Sequence, residues 1–213
     1  MKSTKMAKGL LLISSGFDSP VAGYLMLKND VDLIAVHFDN RPFTNDKPLT
    51  KSRKLIELLE QKFDKKIKFY QIDHGQNQIK FMKNCENRYR CLLCRRMMFK
   101  IAEQIAIKEK CNFLVTGENL AQVASQTIFN LTNADKAVNI KILRPLLCYD
   151  KLEIINLAKD ISTHDISIEA AICCNAVPRN PVTRSKLHFI KKEESKINIK
   201  EMIQESLDKA KVF

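Results

Sequence analysis

The apolar stretch Gly9-Leu10-Leu11-Leu12-Ile13 runs straight into the polar turn Ser14-Ser15-Gly16-Phe17-Asp18, and that turn opens a helix from about Ser19 to Lys28. A strand with no polar residue at alternate positions is buried on both faces, so this opening reads as the first half of a βαβ unit. The pattern repeats. A second strand is predicted over Asp32 to Phe38, then a loop holding Pro42 and Pro48, a helix from about Leu49 to Phe63, and a third strand over Ile67 to Ile72. After a weaker helical stretch, Cys91 to Lys108 places Leu93, Met97, Met98, Ile101, Ala102 and Ile105 on one helical face, which marks both methionines as core. Phe113 to Thr116 is the fourth predicted strand, Leu120 to Leu131 has helical spacing, and Val138 to Leu143 is the fifth strand, stopped by Arg144-Pro145. Asp150 with Glu153 has the form of a capping box opening a helix through Ile161. Strands alternating with helices predict an α/β fold, a doubly wound parallel five-stranded sheet with helices on both faces and ligands at the carboxyl ends of its strands.

With 213 residues, 45% of them hydrophobic, the chain can bury one α/β core but not two comfortable ones. The expected organisation is one domain over residues 1–190 and a charged, helix-compatible tail over 191–213. The apolar opening is far shorter than the roughly 18 residues of a membrane span and has no signal-peptide pattern. Seven cysteines, an odd number without a secretory signal, predict reduced thiols and a cytoplasmic location rather than a disulfide framework.

The net charge of +12 is unevenly distributed. Lys80, Lys83, Arg88, Arg90, Arg95, Arg96 and Lys100 stand against Glu86 as the one acid in that window. Arg179, Arg184, Lys186, Lys191 and Lys192 follow one another with no acid between them. A lysine-rich background would spread its charge, whereas local basicity predicts a surface that neutralises phosphates.

Ser14 to Ser19, between strand and helix, has the small residues, hydroxyls and helix N-terminus that cradle an anion. No Lys-Ser/Thr pair follows a spaced glycine, so it is not a Walker loop. It resembles the PP-loop, Ser-Gly-Gly-x-Asp-Ser, of ATP pyrophosphatases that cleave ATP between its α and β phosphates, and departs from it at Ser15, where that pattern has its first glycine. The resemblance extends over about Gly9 to Leu187. The segments Ser14 to Ala22, Cys91-Leu92-Leu93-Cys94-Arg95-Arg96-Met97-Met98, Thr116 to Thr127 and Leu143-Arg144-Pro145-Leu146 are similar in order and spacing to tRNA 4-thiouridine synthetases, also called thiamine-biosynthesis sulfurtransferases.

That resemblance implies an adenine nucleotide alpha-hydrolase-like fold, with ATP and Mg²⁺ as cofactors and tRNA as partner. It implies nucleotide contacts from Leu12, Ile13, Ser14, Ser15, Gly16, Asp18 and Ser19, from His37 and Phe38, and from Arg95, Gly117 and Gln126, with Asp18 and Cys174 as catalytic residues. Cys91 and Cys94 form a C-x-x-C at a predicted helix start, where the dipole with Arg90, Arg95 and Arg96 would favour thiolates. By itself such a pair is compatible with metal ligation, disulfide exchange or neither. Cys173-Cys174 supplies further sulfurs, and the resemblance implies an iron–sulfur cluster on Cys91, Cys94 and Cys174, with structural zinc as the alternative. Cys85, Cys111 and Cys148 lack partners at useful spacing and are expected to be structural.

Members of the family carry an amino-terminal RNA-binding region and often a carboxyl-terminal rhodanese domain, whereas this sequence starts almost at the PP-loop. The expected sulfur donor is therefore sulfide or a separate persulfide carrier, and a separate RNA-binding subunit and a homodimer remain open. The expected reaction adenylates O4 of a tRNA uridine, releases pyrophosphate and inserts sulfur to give 4-thiouridine, with Arg95 and Arg144 offsetting phosphate charge. Two alternatives remain. One is a small-molecule PP-loop synthase of the deazapurine type with structural zinc, against which the basic windows count; the other is a non-catalytic RNA-binding subunit.

Overall fold

The structure, a computed structural model, describes residues 6–120, 126–170 and 174–213. Its strands are β1 (Lys8–Leu12), β2 (Asp32–Asp39), β3 (Phe69–Asp73), β4 (Phe113–Val115), β5 (Lys141–Leu143) and β6 (Lys211–Val212), in one sheet of order β5-β4-β1-β2-β3-β6. The helices are α1 (Asp18–Lys28), α2 (Lys47–Phe63), α3 (Gly75–Asn84), α4 (Arg90–Lys108), α5 (Ile128–Asp135), α6 (Lys151–Asp160), α7 (His164–Ile168), α8 (Leu187–Glu194) and α9 (Ile199–Asp208).

The uninterrupted apolar run of β1 is explained by two cores, one on each face of the sheet. Successive side chains of a strand point to opposite faces. Leu10 and Leu12 accordingly join Leu93, Met97, Ile101 and Ile105 of α4 beneath the sheet, while Leu11 and Ile13 join Val21, Ala22, Ile56 and Ile154 of α1, α2 and α6 above it. From β1 the chain winds outward through β2 and β3, then returns to place β4 on the other side of β1. The reversal lies between β1 and β4, and a crevice opens there beyond the carboxyl ends of the strands.

The α/β class and the doubly wound order agree with expectation, and three details differ. The sheet has a sixth strand, since Lys211 and Val212 pair antiparallel with Gln71 and Tyr70, which makes a mixed sheet of the expected all-parallel one. Of the helix expected over Leu120 to Leu131, the described part is α5, which Thr127 caps by accepting the Asn130 N–H, so that it starts at Ile128 and runs beyond the expected end to Asp135. Residues 121–125 of that expected helix lie outside the described residues. Cys148 is exposed and so has no core role, because it lies on the turn between β5 and α6 rather than on an apolar face. The Asp150–Glu153 capping box forms as expected, with both of its hydrogen bonds at 2.7 and 2.8 Å. No helix among the described residues is long and apolar enough to cross a membrane.

Candidate active site

The loop after β1 closes on itself before any ligand is considered. The Ser14 N–H donates to Ser19 Oγ at 2.8 Å, and the two hydroxyl oxygens lie 3.0 Å apart. Ser15 has no positive φ, so the serine that replaces the first glycine of the PP-loop pattern fits without strain. A Cβ on Gly16 would meet only Ser14 Oγ, at 3.8 Å, and so would point into open space. Gly117 is different. A Cβ there would lie 2.5 Å from the backbone of Asp18 and Ser19, so this glycine lets the end of β4 pack against the start of α1.

Two adjoining cavities, of about 230 and 180 Å³, flank this loop and share Leu12, Ser14 and Met98. The first is lined by Ile13, Ser15, His37, Phe38, Thr44 and Cys174. The second is lined by Asp18, Ser19, Arg95, Gly117, Glu118 and Gln126. With Gly16 in the loop between them, every residue expected to contact nucleotide converges on one crevice at the β1–β4 reversal. A larger cavity of about 480 Å³ lies at the far edge of the sheet around Arg53, Phe69 and Phe213, and shares no residue with the loop.

The ionisable groups of the crevice are set by burial and by their neighbours. His37 Nδ1 lies 3.1 Å from the Ile13 carbonyl oxygen, which only accepts, so Nδ1 carries the hydrogen and Nε2 is an acceptor. Burial holds His37 below the ordinary imidazole value despite that hydrogen bond. Asp18 is raised from 3.8 by burial, against the pull of the Lys151 charge. Arg95 pairs with Glu118 at 2.8 Å, and Arg144 pairs with Glu118 at 2.7 Å and with Asp135 at 2.5 Å. Arg95 therefore stands in the crevice, whereas the Arg144 charge is shared by two carboxylates beside it.

Cys91 and Cys94 stand on the first turns of α4, and Cys174 rims the first cavity. The expectation that their surroundings favour thiolates is corrected by the structure. Burial pushes the Cys91 thiol up, and the Cys94 thiol up to about 12, with Cys174 adding to both and outweighing Arg95. The three sulfurs thus share one electrostatic neighbourhood, although no group of three His, Cys, Asp or Glu side chains among the described residues is closed tightly enough to hold a metal. Three thiols are soft donors of the kind that soft metals take, and Cys94 Sγ is oriented by the Gln78 Nε2 donor at 2.7 Å and the His74 ring at 3.3 Å. His74 Nδ1 accepts from Asn77 at 3.2 Å, which leaves the hydrogen on Nε2, and burial pushes its value down to about 3. Cys173 lies outside the described residues.

Four polar residues here escaped sequence reasoning. His74 and Gln78 carried one faint signal, a histidine directly after a predicted strand. Lys151 follows the capping Asp150, where a lysine reads as solvent-facing. Lys51 reads the same way, yet it is buried and its Nζ donates to the Ser167 and Glu169 carbonyls, both at 2.8 Å, which ties α2 to the end of α7.

The basic windows also change meaning in three dimensions. In the first, Arg96 is buried against Glu194, Lys80 pairs with Glu205, and Arg90 and Lys100 donate to the Ala176 and Ala137 carbonyls. Much of its charge is thus bound internally. In the second, Arg179, Arg184, Lys186, Lys191 and Lys192 are all exposed. The two windows are joined, because the Val182 N–H donates to the Arg88 carbonyl at 3.1 Å.

The family model described as Thiamine biosynthesis protein (ThiI) matches residues 4–199. A probable tRNA sulfurtransferase of Finegoldia magna is 39% identical over 203 residues, which cover 94% of this chain and 52% of that protein. One from Methanosarcina mazei is 37% identical over 207 residues, 97% of this chain and 51% of its own length. The chain thus spans about half the length of these curated relatives. A crystal structure of a 4-thiouridine synthetase–RNA complex with bound ATP superposes with a TM-score of 0.93 at 34% identity, covering 97% of this chain and 55% of the other. The NMN synthetase of Francisella tularensis, at a TM-score of 0.60 and 16% identity over 96% of this chain and 78% of its own, shares the fold. With the serine-rich loop, the crevice at the sheet reversal and the cysteine pair on α4 in place, the chain belongs to the thiamine biosynthesis protein (ThiI) family.

Proposed function

We propose that this chain carries the catalytic site of an ATP-dependent tRNA uridine sulfurtransferase that acts in the cytoplasm. The observation behind this reading is the single crevice in which the PP-loop, Arg95 and Cys174 meet. ATP would lie across both cavities, with its β and γ phosphates on the N–H groups and hydroxyls of Ser14 to Ser19 and on the N-terminus of α1. The open space above Gly16 suits close approach of a phosphate. His37 Nε2 is placed to accept from the adenine amino group, with Phe38 beside it. Asp18 would hold Mg²⁺, which supplies charge neutralisation for the leaving pyrophosphate, and Lys151 and Arg95 add positive charge near the same phosphates.

O4 of the uridine attacks the α phosphorus, the bond to the β phosphate breaks and pyrophosphate leaves. A sulfur nucleophile then attacks C4, the C4–O4 bond breaks, and AMP departs carrying the former uridine oxygen. Cys174 at the rim of the first cavity is the residue best placed to present that sulfur, and Cys91 and Cys94 complete a three-thiol donor set. An iron–sulfur cluster on three cysteines would offer one open iron to sulfide, and zinc would offer a structural site instead.

The test is pyrophosphate release from ATP with and without unmodified tRNA, joined to mass spectrometry of the tRNA nucleosides. Release that needs tRNA, and 4-thiouridine formed on adding sulfide, are expected. Equal release without RNA would favour the small-molecule synthase, and failure to bind ATP would favour a non-catalytic subunit. Protein purified without oxygen should contain iron and acid-labile sulfide, lost on Cys91→Ser, Cys94→Ser or Cys174→Ser. Stoichiometric zinc in active protein would reject the cluster.

A further inference from the structure

We infer that the surface formed by the start of α5 and the segment entering α8 is a stacking platform for unpaired bases of an RNA partner. This inference rests on the RNA-modifying function proposed above and names the part of the molecule that would grip the nucleic acid beside the crevice. Phe129 and Phe189 are 47% and 45% exposed, unusual for phenylalanines on two helices whose other faces enter the core. Each carries a cationic or aromatic neighbour. The Arg184 guanidinium carbon lies 5.1 Å from the Phe129 ring centre, and the His188 and Phe189 rings are centred 4.0 Å apart.

The platform is held rigidly. Thr127 Oγ1 donates to the Thr183 carbonyl at 2.6 Å, Asn130 Nδ2 to the Val182 carbonyl at 2.7 Å, and Asn133 Nδ2 to the Ser185 carbonyl at 2.9 Å. One side of α5 is thereby fastened along residues 182–185, which leaves Phe129 and Arg184 on a common surface. Phe129 follows Gln126, which lines the second cavity, by three residues, at most about 10 Å of chain.

Charge complementarity selects nucleic acid over a protein partner. Arg184 stands against the Phe129 ring, Arg179, Lys186, Lys191 and Lys192 are exposed on the same stretch of chain as Phe189, and none of the five forms an ion pair with a described residue. The adjoining acids are turned inward, with Glu193 on Lys196 at 2.6 Å and Glu194 on Arg96 at 2.9 Å. An apolar protein surface docked on this segment would leave these like charges without counter-ions. Phosphates satisfy them while bases stack on the rings, the combination by which single-stranded RNA is held without base-edge readout.

The experiment measures binding of a fluorescein-labelled twelve-nucleotide oligouridylate and of unmodified tRNA across a salt series. Phe129→Ala and Phe189→Ala should each weaken oligouridylate binding about 5- to 100-fold with an unchanged salt slope, and Phe129→Trp should retain it. Arg184→Gln and Lys186→Gln should instead each flatten the slope by about 0.7. Unchanged affinity in the double alanine variant overturns the inference, as does a wild-type protein that binds neither RNA. Equal losses in Phe129→Ala and Phe129→Trp, with a lowered melting temperature, would assign the ring a packing role and also overturn it. So would sedimentation showing self-association that Phe129→Ala abolishes while RNA binding persists, because the patch would then join copies of the chain. Platform-dependent RNA binding by a protein that never releases pyrophosphate would remove the sulfurtransferase reading and keep the platform.

Discussion

At Asp18 burial and charge oppose one another. Burial raises its value above 3.8 and Lys151 draws it back, with burial the larger effect. A carboxyl raised in the folded state holds its proton more tightly there, so its ionisation opposes folding once the pH exceeds the folded value. Below 3.8 it is protonated in both states and contributes nothing. Asp18→Asn is therefore expected to raise the melting temperature of ligand-free protein at pH 7, with the gain fading as pH falls towards 3.8, while pyrophosphate release drops by about 10²-fold or more. Thermal scans at pH 7 and pH 4 beside a pyrophosphate assay check both halves. The two site glycines separate in the same way. Gly16→Ala should leave stability unchanged or raise it by up to about 1 kcal/mol while weakening ATP binding, since its φ is not positive and its Cβ enters open space. Gly117→Ala should cost about 1–3 kcal/mol in urea titration, because its Cβ would collide with the backbone of Asp18 and Ser19. Both glycines were legible in the sequence as members of motifs, but which one faces a ligand and which one faces the chain was not.

Three helices meet at one ion pair. Arg96 of α4 donates through Nε and an Nη to Glu194 of α8, both at 2.9 Å, and reaches the Asn133 carbonyl near the end of α5. Its side chain is 2% exposed, so removing the partner would strand a buried charge. Glu194→Ala is expected to lower stability by about 3–5 kcal/mol, and pairing it with Arg96→Met should restore much of that loss in chemical denaturation. In the sequence Arg96 counts towards a phosphate-binding window; in the fold it fastens α8 and α5 together and so supports the exposed Phe129 surface. The helix itself was legible, since its apolar spacing identifies Met97, Ile101 and Ile105 as core, all at most 2% exposed. The direction of an arginine between two such positions depends on what packs against that face, and α8 arrives from nearly a hundred residues further along.

For the whole molecule, the charged C-terminal segment is part of the core. Ile190 and Met202 are buried against α4, and the Phe213 N–H and carbonyl exchange hydrogen bonds with Phe69 at 2.9 and 3.0 Å. Met202→Ala should cost about 2–5 kcal/mol in a urea titration, comparable to a central core residue, and a loss under 1 kcal/mol would mark α9 as peripheral. The sequence by itself determined the doubly wound layers, because an apolar run such as Leu10 to Ile13 must be covered on both faces and strand–helix alternation covers it. It determined the PP-loop as well, since six contiguous residues carry their own backbone geometry. Only the tertiary structure decided that β6 pairs with β3 at the sheet edge, that Lys51 is buried on the Ser167 and Glu169 carbonyls, that the Lys151 charge acts on Asp18, that His74 and Gln78 turn towards Cys94, and that one basic window is largely bound internally while the other stays open. Each of those outcomes depends on contacts between segments far apart in the chain, and local periodicity contains no information about which distant group will meet a buried charge or leave an aromatic ring exposed.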